Sequence, residues 1–268
     1  MRVKRIAGIG KAQALTREIL VEHAATLRAG ERECDVARAL DEKLTAAGVR
    51  HWLHTPYAWW GERTAFEGFD HWEADALPTE RRLEEGEAFI LDAAPLVDGY
   101  PADFAYSGVL GNDSPAALLH SQLLAALAEI KGALVNQARE AASGRKLFAQ
   151  VGAQIERGGW QVVHSLYPGG VLGHSLDSFP SLFGRAPRLL DGFQLPLLGT
   201  IGIGLVLHRL LGRPYPLLND GHPHRVQGLF AVEPHLAARS QGAKFESVLL
   251  VDADETRWLD PELFGAVR

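Results

Sequence analysis

The spacing of apolar residues in the first part of the chain predicts two consecutive helices. Apolar side chains recur at helical spacing from about Ala12 to Leu27, and Gly30 ends this run. A second helical pattern extends from about Cys34 to Ala47 and stops at Gly48. We therefore expect the domain to open with two antiparallel helices.

Strand-like segments follow the two helices. The segment from Arg50 to Trp60 is rich in aromatic residues and histidines and suits a strand, whereas Leu77 to Gly86 is a polar connection. Two short apolar segments come next, Ala88 to Ala94 and Gly99 to Ser107. The turn-like interval Pro95 to Asp98 separates them, so the pattern predicts a hairpin.

The remaining pattern separates helices from strands. A long amphipathic helix is predicted from Pro115 to about Ala142, and a shorter one from Lys146 to Arg157. Later segments rich in Val, Leu and Phe predict strands at Gln161 to Leu166, Leu229 to Pro234 and Lys244 to Val251. Because runs of strands and runs of helices do not alternate strictly, the expected class is α+β.

Composition narrows the class of protein. The chain has 268 residues, 47% of them hydrophobic, which is enough for one continuous core, so we expect a single domain over 1–268. The formal net charge of -6 gives no general basic surface, so nucleic acid is not an expected partner. The uncharged stretch Gly192 to His208 is shorter than the roughly 20 apolar residues of a spanning helix, so no membrane span is expected.

Cysteine usage and the N-terminal residues indicate a compartment. Cys34 is the single cysteine, which rules out an internal disulfide and any site made of several thiolates. No apolar run of signal length follows the basic first residues. The expected location is the cytoplasm.

Four acidic residues interrupt apolar strand segments: Asp92, Asp103, Glu233 and Glu246. A buried carboxylate is costly unless a partner compensates its charge. Asp92 and Asp103 fall on the two arms of the predicted hairpin, where they would repel each other unless a cation lay between them. Any one such residue is more often a turn former, a salt-bridge partner or a solvated residue, but their joint order with His174 favours a metal cluster.

These residues occur in strings that resemble the pita-bread metallopeptidases, the family of methionine aminopeptidase, aminopeptidase P, prolidase and creatinase. The resemblance covers nearly the whole chain and implies a central antiparallel sheet covered by helices. Its parts are GERECDVARALDEKLTAAG, LEEGEAFILDAAPLVDGYPADFAYS, VLGHSLD, GLFAVEPHL and KFESVLLV.

The resemblance implies two divalent metal ions. Asp92 would bind one ion through both oxygens, Asp103 and Glu246 would bridge the two ions, and His174 and Glu233 would complete the second site. Glu233 would also move the proton, and a water between the ions would be the nucleophile. Carboxylate and imidazole ligands suit Mn, Co, Fe or Zn.

The chain departs from the family near its ligand histidine. Family peptidases usually carry a second histidine seven positions later, where this chain has Ser181. The string IGIGLVLH offers another alignment, but it would put Ile201, which cannot bind metal, at the ligand position. We therefore prefer His174, which makes 182–207 an insertion; His208 would then either supply the missing imidazole or be a structural histidine.

Other histidines and aromatic residues have weaker assignments. His71 is a candidate for the upstream histidine that acts on substrate in the family. Tyr57, Trp59 and Trp60 line a substrate cleft or belong to the core. Six further histidines are expected to be surface or packing residues: His51, His54, His164, His222, His224 and His235.

Three functions remain open from sequence. The intact ligand set favours an aminopeptidase or dipeptidase, like the Xaa-Pro or methionine aminopeptidases, that acts at a peptide N-terminus. Ser181 and the insertion favour a non-peptidase hydrolase of a small amide-type metabolite, although creatinase dispenses with metals and this chain keeps all four carboxylates. The third function is a non-catalytic binding protein of the same fold. The apolar stretch from Leu195 to Leu207 predicts a homodimer contact.

Overall fold

The computed structural model describes residues 2–111, 114–176 and 215–260. Helix α1 spans Arg2–Ala24 and helix α2 spans Glu33–Ala46. Both match predicted helices, but α1 begins well before Ala12, because the basic and glycine-containing start of the chain hides its periodicity. The insertion at 182–207, His208, Ser181 and the proposed dimer contact lie outside the described residues.

The first sheet contains the predicted hairpin. It consists of β1 (His51–Trp60), β2 (Ala88–Val97), β3 (Tyr100–Pro101) and β4 (Phe104–Val109). Strand β2 is central and pairs antiparallel with the other three strands. Helices α1 and α2 contact this sheet.

The turn of this hairpin differs from the prediction of Pro95 to Asp98. Strand β2 continues through Pro95 to Val97, and the turn consists of Asp98 and Gly99. Both turn residues have positive φ, 51° and 80°, which is the conformation that Asp-Gly favours in a two-residue hairpin turn. The turn chemistry of this pair therefore outweighs the strand-breaking tendency of the proline.

Two helices cover another part of the core. Helix α4 (Pro115–Glu140) follows the short helix α3 (Trp72–Asp75) in the chain and precedes α5 (Gly144–Arg157). Among the described residues, α4 alone is long and apolar enough to cross a membrane. One face of α4 packs in the protein core; its buried leucines are Leu123, Leu127 and Leu134.

Two further antiparallel sheets complete the described structure. The three-stranded sheet has the order β10-β9-β5, with β5 Gln161–Val162, β9 His235–Ala238 and β10 Gln241–Lys244. The five-stranded sheet has the order β12-β11-β8-β6-β7, with β6 Gly173–Ser175, β7 Leu217–Leu218, β8 Gly228–Val232, β11 Ser247–Val251 and β12 Thr256–Trp258. This mixture of separate helices and antiparallel sheets is the predicted α+β class.

Two predicted strands are shorter than expected. The segment Gln161 to Leu166 forms only the two residues of β5 before a 3-10 turn, Val163–Ser165. The segment Lys244 to Val251 is interrupted at Phe245 and Glu246, because β10 and β11 belong to different sheets. Glu246 therefore lies at the junction between two sheets.

Candidate metal centre

A cavity opens where these sheets approach one another. All five predicted metal ligands line it, so the fold brings together residues that lie far apart in the chain. The lining residues are His54, Tyr57, Trp59, Trp72, Asp92, Asp103, Tyr167, Pro168, Val171, His174, Leu217, Glu233, Lys244 and Glu246.

The two aspartates share one face of the first sheet. Asp92 in β2 pairs with Ala105 in β4, and Asp103 lies two residues before Ala105. Side chains two residues apart on a strand point the same way, so both carboxylates face the cavity. Each aspartate is only 3% exposed.

Gln13 of helix α1 fixes the backbone of Asp103. Its Nε2 donates to the carbonyl oxygen of Asp103 at 2.7 Å, and its Oε1 accepts from the Asp103 backbone N–H at 3.0 Å. The same Nε2 lies 3.4 Å from the carbonyl oxygen of Glu246. One buried amide therefore links α1 to two candidate ligands.

His174 enters the cavity from β6. Its Nε2 is 2.6 Å from Asp103 Oδ2. A Cβ on the preceding residue, Gly173, would lie 2.2 Å from the Ala231 carbonyl oxygen, so glycine allows β6 to lie against β8 at this point.

The two glutamates approach from other strands. Glu233 directly follows β8, and its backbone N–H donates to the Leu172 carbonyl at 2.8 Å. Glu246 lies between β10 and β11. Both glutamates are buried, at 8% and 2% exposure, so the cavity holds four acidic groups that are removed from water.

Lys244 is a buried cation among these acidic groups, and the sequence pattern alone did not identify it. Its Nζ donates to Asp92 Oδ2 at 3.0 Å and to Glu233 Oε2 at 3.2 Å, and it also forms an ion pair with Glu246 Oε1. The residue is fully buried. The sequence signal was its position two residues before Glu246 in a segment predicted as a strand, where alternate side chains point to one side.

Lys244 is held firmly at both ends. The Ser107 hydroxyl accepts from the Lys244 backbone N–H at 2.9 Å and donates to its carbonyl oxygen at 2.8 Å. At the other end, the ammonium lies 5.1 Å from the centre of the Tyr167 ring, which is a favourable cation–π distance. The ammonium is therefore a built part of the cavity.

His54 corrects the expectation that it is a surface or packing residue. Its Nε2 lies 3.5 Å from Asp92 Oδ1 and 3.8 Å from Asp103 Oδ1. Its Nδ1 lies 2.9 Å from the Thr55 carbonyl oxygen, an arrangement that fixes the ring and directs Nε2 at the carboxylates. The string HWLHTPYAWW did not reveal this role, because no motif distinguishes His54 from His51.

The charges around the aspartates shift the pKa values of their partners. Burial lowers the pKa of His54, but the charge of Asp92 and the contact with Asp103 outweigh this and raise it to about 9. Burial also lowers the pKa of His174, but the hydrogen bond and the charge of Asp103 outweigh burial, so the pKa of His174 is raised. Burial raises the pKa of Asp103, but His174 and His54 lower it by a larger amount. The net pKa lies below its usual range, so the ionised carboxylate is strongly favoured.

The other side of the cavity has raised pKa values. Burial raises the pKa of Glu233, which Lys244 only partly offsets. Burial and the charge of Asp103 raise the pKa of Glu246 well above its usual range. Burial lowers the pKa of Lys244, but the charges of Asp92 and Glu246 outweigh it, so the ammonium is retained.

The described residues fit a divalent metal ion. One ligand atom each from His54, Asp92 and Asp103 lie within 4.8 Å of one another. Three buried carboxylate oxygens accept no hydrogen bond from the part of the chain that the structure describes: Asp92 Oδ1, Asp103 Oδ1 and Glu246 Oε2. Buried oxygens of this kind are expected where a cation completes the site.

Aromatic side chains form one wall of the cavity. Tyr57 stacks between His54 and Trp59, with ring centres 4.9 Å and 5.1 Å apart. Trp72 packs against Tyr167 at 5.1 Å. Of the aromatic group in the sequence prediction, Tyr57 and Trp59 line the cavity, whereas Trp60 is in the hydrophobic core.

The remaining predicted histidines lie elsewhere. His71 is exposed at the start of α3 and is not among the residues that line the cavity, although its neighbour Trp72 is, so its role in substrate handling stays a prediction. Three of the histidines expected to be surface or packing residues are buried: His164, His222 and His235.

Comparison with known protein families gives one match over most of the chain. The model of metallopeptidase family M24 matches residues 7–253. A search of curated proteins found no significant match.

Several solved structures have a similar fold. An X-Pro aminopeptidase from Thermotoga maritima has a TM-score of 0.68 and 16% identity, over 97% of this chain and 61% of its own. A prolidase from Pyrococcus horikoshii has a TM-score of 0.68 and 16% identity, over 97% and 63%. A dipeptidase from Mycobacterium ulcerans has a TM-score of 0.68 and 17% identity, over 97% and 59%. This chain thus spans about three fifths of the length of these proteins, and the likeness shows the pita-bread fold.

Proposed function

Because the chain belongs to metallopeptidase family M24, we propose that it is a metal-dependent hydrolase that cleaves a peptide close to its N-terminus. The observation that carries this proposal is the convergence of all five predicted ligands on one buried cavity. The names of the similar structures, an X-Pro aminopeptidase, a prolidase and a dipeptidase, suggest short peptides as substrates, including Xaa-Pro sequences.

The metal would be held by residues that already have suitable donors. Asp92 and Asp103 supply buried carboxylate oxygens, and His54 and His174 supply imidazole nitrogens beside them. When bound, a divalent ion supplies Lewis acidity, which activates water at neutral pH and polarises a scissile carbonyl. The family resemblance implies two ions, and for this chain that number stays a prediction because Lys244 also contacts three of the carboxylates.

Glu233 is the proposed proton carrier. Its Oε2 accepts from Lys244, which fixes the side chain, and the Glu233 carboxylate would take a proton from the attacking water. Returning that proton to the leaving amine would complete hydrolysis. Lys244 would keep the carboxyl in position throughout, since its own backbone is held by Ser107.

The aromatic wall is the proposed substrate contact. Tyr57, Trp59, Trp72 and Tyr167 offer flat apolar surfaces beside the acidic residues. A substrate with an apolar or ring-shaped side chain would bury more apolar area there than a charged one. We therefore propose an apolar residue or proline next to the scissile bond.

The proposal is tested by a peptide panel. Protein freed of metal with a chelator is loaded separately with Mn, Co, Fe and Zn and is offered dipeptides, N-terminal peptides and Xaa-Pro peptides. We expect metal-dependent cleavage by the wild type and a loss of at least 100-fold in Asp103→Asn, on the order of the cost of removing a critical catalytic electrostatic contact. Asp254→Asn, which changes an exposed aspartate outside the cavity, is the matched control.

The same panel separates the alternatives. Metal binding without cleavage of any peptide would favour the small amide-type metabolite as substrate. No metal binding under any loading condition would overturn the proposed hydrolase and leave a binding protein of the same fold.

A further inference from the structure

The position of Lys244 bears on how many metal ions this cavity holds. An ammonium group has three N–H donors. In this cavity it meets three carboxylates from three parts of the fold: Asp92 in β2, Glu233 after β8 and Glu246 between β10 and β11. All its hydrogen-bonding capacity is thus directed at the acidic residues that the family resemblance assigns to two metals.

The ammonium is not a surface side chain that has folded inward. Lys244 is fully buried, Ser107 binds both its backbone groups, and the Tyr167 ring lies beside its charge. Moving the ammonium out would leave three buried carboxylates without their cation, which is costly in a low-dielectric interior. A metal ion that displaced it would also have to bury a neutralised or relocated lysine.

The carboxylate oxygens divide into two groups. Lys244 contacts Asp92 Oδ2, Glu233 Oε2 and Glu246 Oε1. On the other side, Asp92 Oδ1 and Asp103 Oδ1 accept no hydrogen bond from the described residues and face His54 Nε2. Asp92 lies between the two groups and presents one oxygen to each.

The charges agree with this division. When all four are ionised, the carboxylates carry four negative charges, and one dication with one ammonium supplies three positive charges. Two dications with the ammonium would supply five positive charges. The second dication and the ammonium would then share the oxygens of Glu233 and Glu246. The net charge is one unit from zero in either case, but a second dication would lie against the ammonium at Glu233 and Glu246. Buried like charges at such short range repel strongly, so this repulsion favours one dication.

We propose that Lys244 takes the place of a second metal ion, so that the cavity holds one divalent ion, bound by His54, Asp92 and Asp103. This inference rests on the proposed function only in requiring that the cavity binds a metal. It adds His54 as a ligand and makes Lys244 a resident cation that positions Glu233 and Glu246.

Metal stoichiometry tests the inference. Full-length protein is loaded with excess Mn²⁺, desalted and analysed for bound metal, and electron paramagnetic resonance distinguishes isolated from coupled Mn²⁺ ions. We expect one ion per chain with an isolated-ion spectrum in the wild type. In Lys244→Met we expect two ions per chain with an exchange-coupled spectrum, and Lys244→Gln provides a second neutral replacement.

The control is Lys131, a buried lysine elsewhere in the fold. Its Nζ donates to Ser247 Oγ at 2.6 Å and to the Asp260 carbonyl oxygen at 3.0 Å. Lys131→Met also removes a buried ammonium, but from outside the cavity lining, so it should still bind one ion. His54→Ala should lose the single ion or bind it at least tenfold more weakly.

The outcomes separate this inference from the proposed function. Two ions in the wild type would overturn the inference while leaving a metal-dependent hydrolase intact. A single ion in both the wild type and the Lys244 variants would overturn the claim that Lys244 replaces a metal. Retention of the ion by His54→Ala would remove His54 from the ligand set, and a wild type without metal would overturn both proposals.

Discussion

Gln13 is the residue that ties the first helix to the candidate metal centre. Its side-chain amide satisfies both the N–H and the carbonyl oxygen of Asp103, and all these atoms are buried. Residues that orient metal ligands from behind contribute to metal affinity without touching the metal. Gln13 is therefore a positioning residue for Asp103.

We expect Gln13→Leu to weaken metal binding and the fold together. The variant leaves a buried backbone N–H and carbonyl of Asp103 unsatisfied, which should lower the free energy of unfolding by about 2–3 kcal/mol. The affinity for Mn²⁺ should fall about tenfold, as for other residues that orient ligands. Denaturant unfolding and metal titration measure the two effects.

The control for this variant is Gln137→Leu. Gln137 Nε2 donates to Gln154 Oε1 between α4 and α5, outside the cavity lining. This change should leave metal affinity unaltered. Equal losses of affinity in the two variants would contradict a specific role for Gln13.

His120 provides a pH-dependent contribution to stability that is separate from the metal centre. Burial lowers its pKa from 6.5 to about 4, and the Ser107 backbone opposes this only partly. Between these pH values the unfolded chain binds a proton that the folded chain does not bind. Above pH 6.5 the imidazole is neutral in both states and has no effect on stability. As the pH falls towards 4, proton binding by the unfolded chain lowers the free energy of unfolding by about 3 kcal/mol in total.

We expect His120→Gln to flatten the pH dependence of stability. Urea unfolding is measured from pH 7 to pH 4 with chelator present. The free energy of unfolding of the variant should decline by about 3 kcal/mol less than that of the wild type. His224→Gln, at an exposed histidine, should follow the wild-type curve. Parallel curves for His120→Gln and the wild type would refute the assignment.

The candidate site was only partly predictable at the residue scale. Asp92, Asp103, Glu233 and Glu246 stand out because acids are unusual within apolar strand segments, and the family strings identified His174. His54 did not stand out, because one histidine in an aromatic strand is usually a packing residue. Gln13 could not be predicted, since its role depends on a long-range contact between α1 and the segment before β4.

At the scale of the element, the hairpin of β2, β3 and β4 sets the position of both aspartates. Its turn requires positive φ at Asp98 and Gly99. A one-residue change of register would turn one aspartate away from the cavity, because side chains alternate between the faces of a strand. The local chemistry of two turn residues thus supports the geometry of the site.

Gly99→Ala should destabilise the protein by about 1 kcal/mol, because Gly99 has a φ of 80° and alanine disfavours that region. Gly132→Ala is the matched control. Gly132 lies within α4, where an added Cβ atom would have nothing within 4 Å, so alanine should stabilise the helix by about 0.5–1 kcal/mol. Thermal unfolding of both variants measures the difference, and an equal change in both would contradict the role of the turn.

The elements with strong periodicity were the most predictable. Helices α2, α4 and α5 and strand β1 agree with the pattern to within about two residues at each end. The sequence pattern did not predict short strands such as β6, β7 and β12, because two or three residues give no period and their pairing is long-range. The interruption at Phe245 and Glu246 was also not predicted, since an apolar run does not indicate that its two halves join different sheets.

At the scale of the whole molecule, the cavity connects parts of the chain that are distant in sequence. The hairpin, β6, the end of β8 and the β10–β11 junction each contribute an acidic or imidazole group. Their negative charges repel in the absence of a metal, so a bound ion both links these elements and relieves the repulsion. Folding and metal binding should therefore be coupled.

We expect metal to raise the melting temperature of the protein. At a free Mn²⁺ concentration of 100 times the dissociation constant, binding should stabilise the folded state by about 2.7 kcal/mol, which corresponds to about 5–10 °C. Asp92→Asn should lose most of this shift. An equal shift in the variant would place the stabilising ion elsewhere.

The most direct test of the central claim is a Mn²⁺ titration of chelator-treated protein in which bound metal and hydrolysis of a cleaved panel peptide are measured on the same samples. The account predicts that hydrolysis is absent at the start, rises in proportion to bound Mn²⁺ and reaches its plateau when the cavity is full, whereas Asp103→Asn stays inactive throughout. Hydrolysis that is independent of bound metal, or a filled cavity that never hydrolyses any substrate, would contradict a metal-dependent hydrolase.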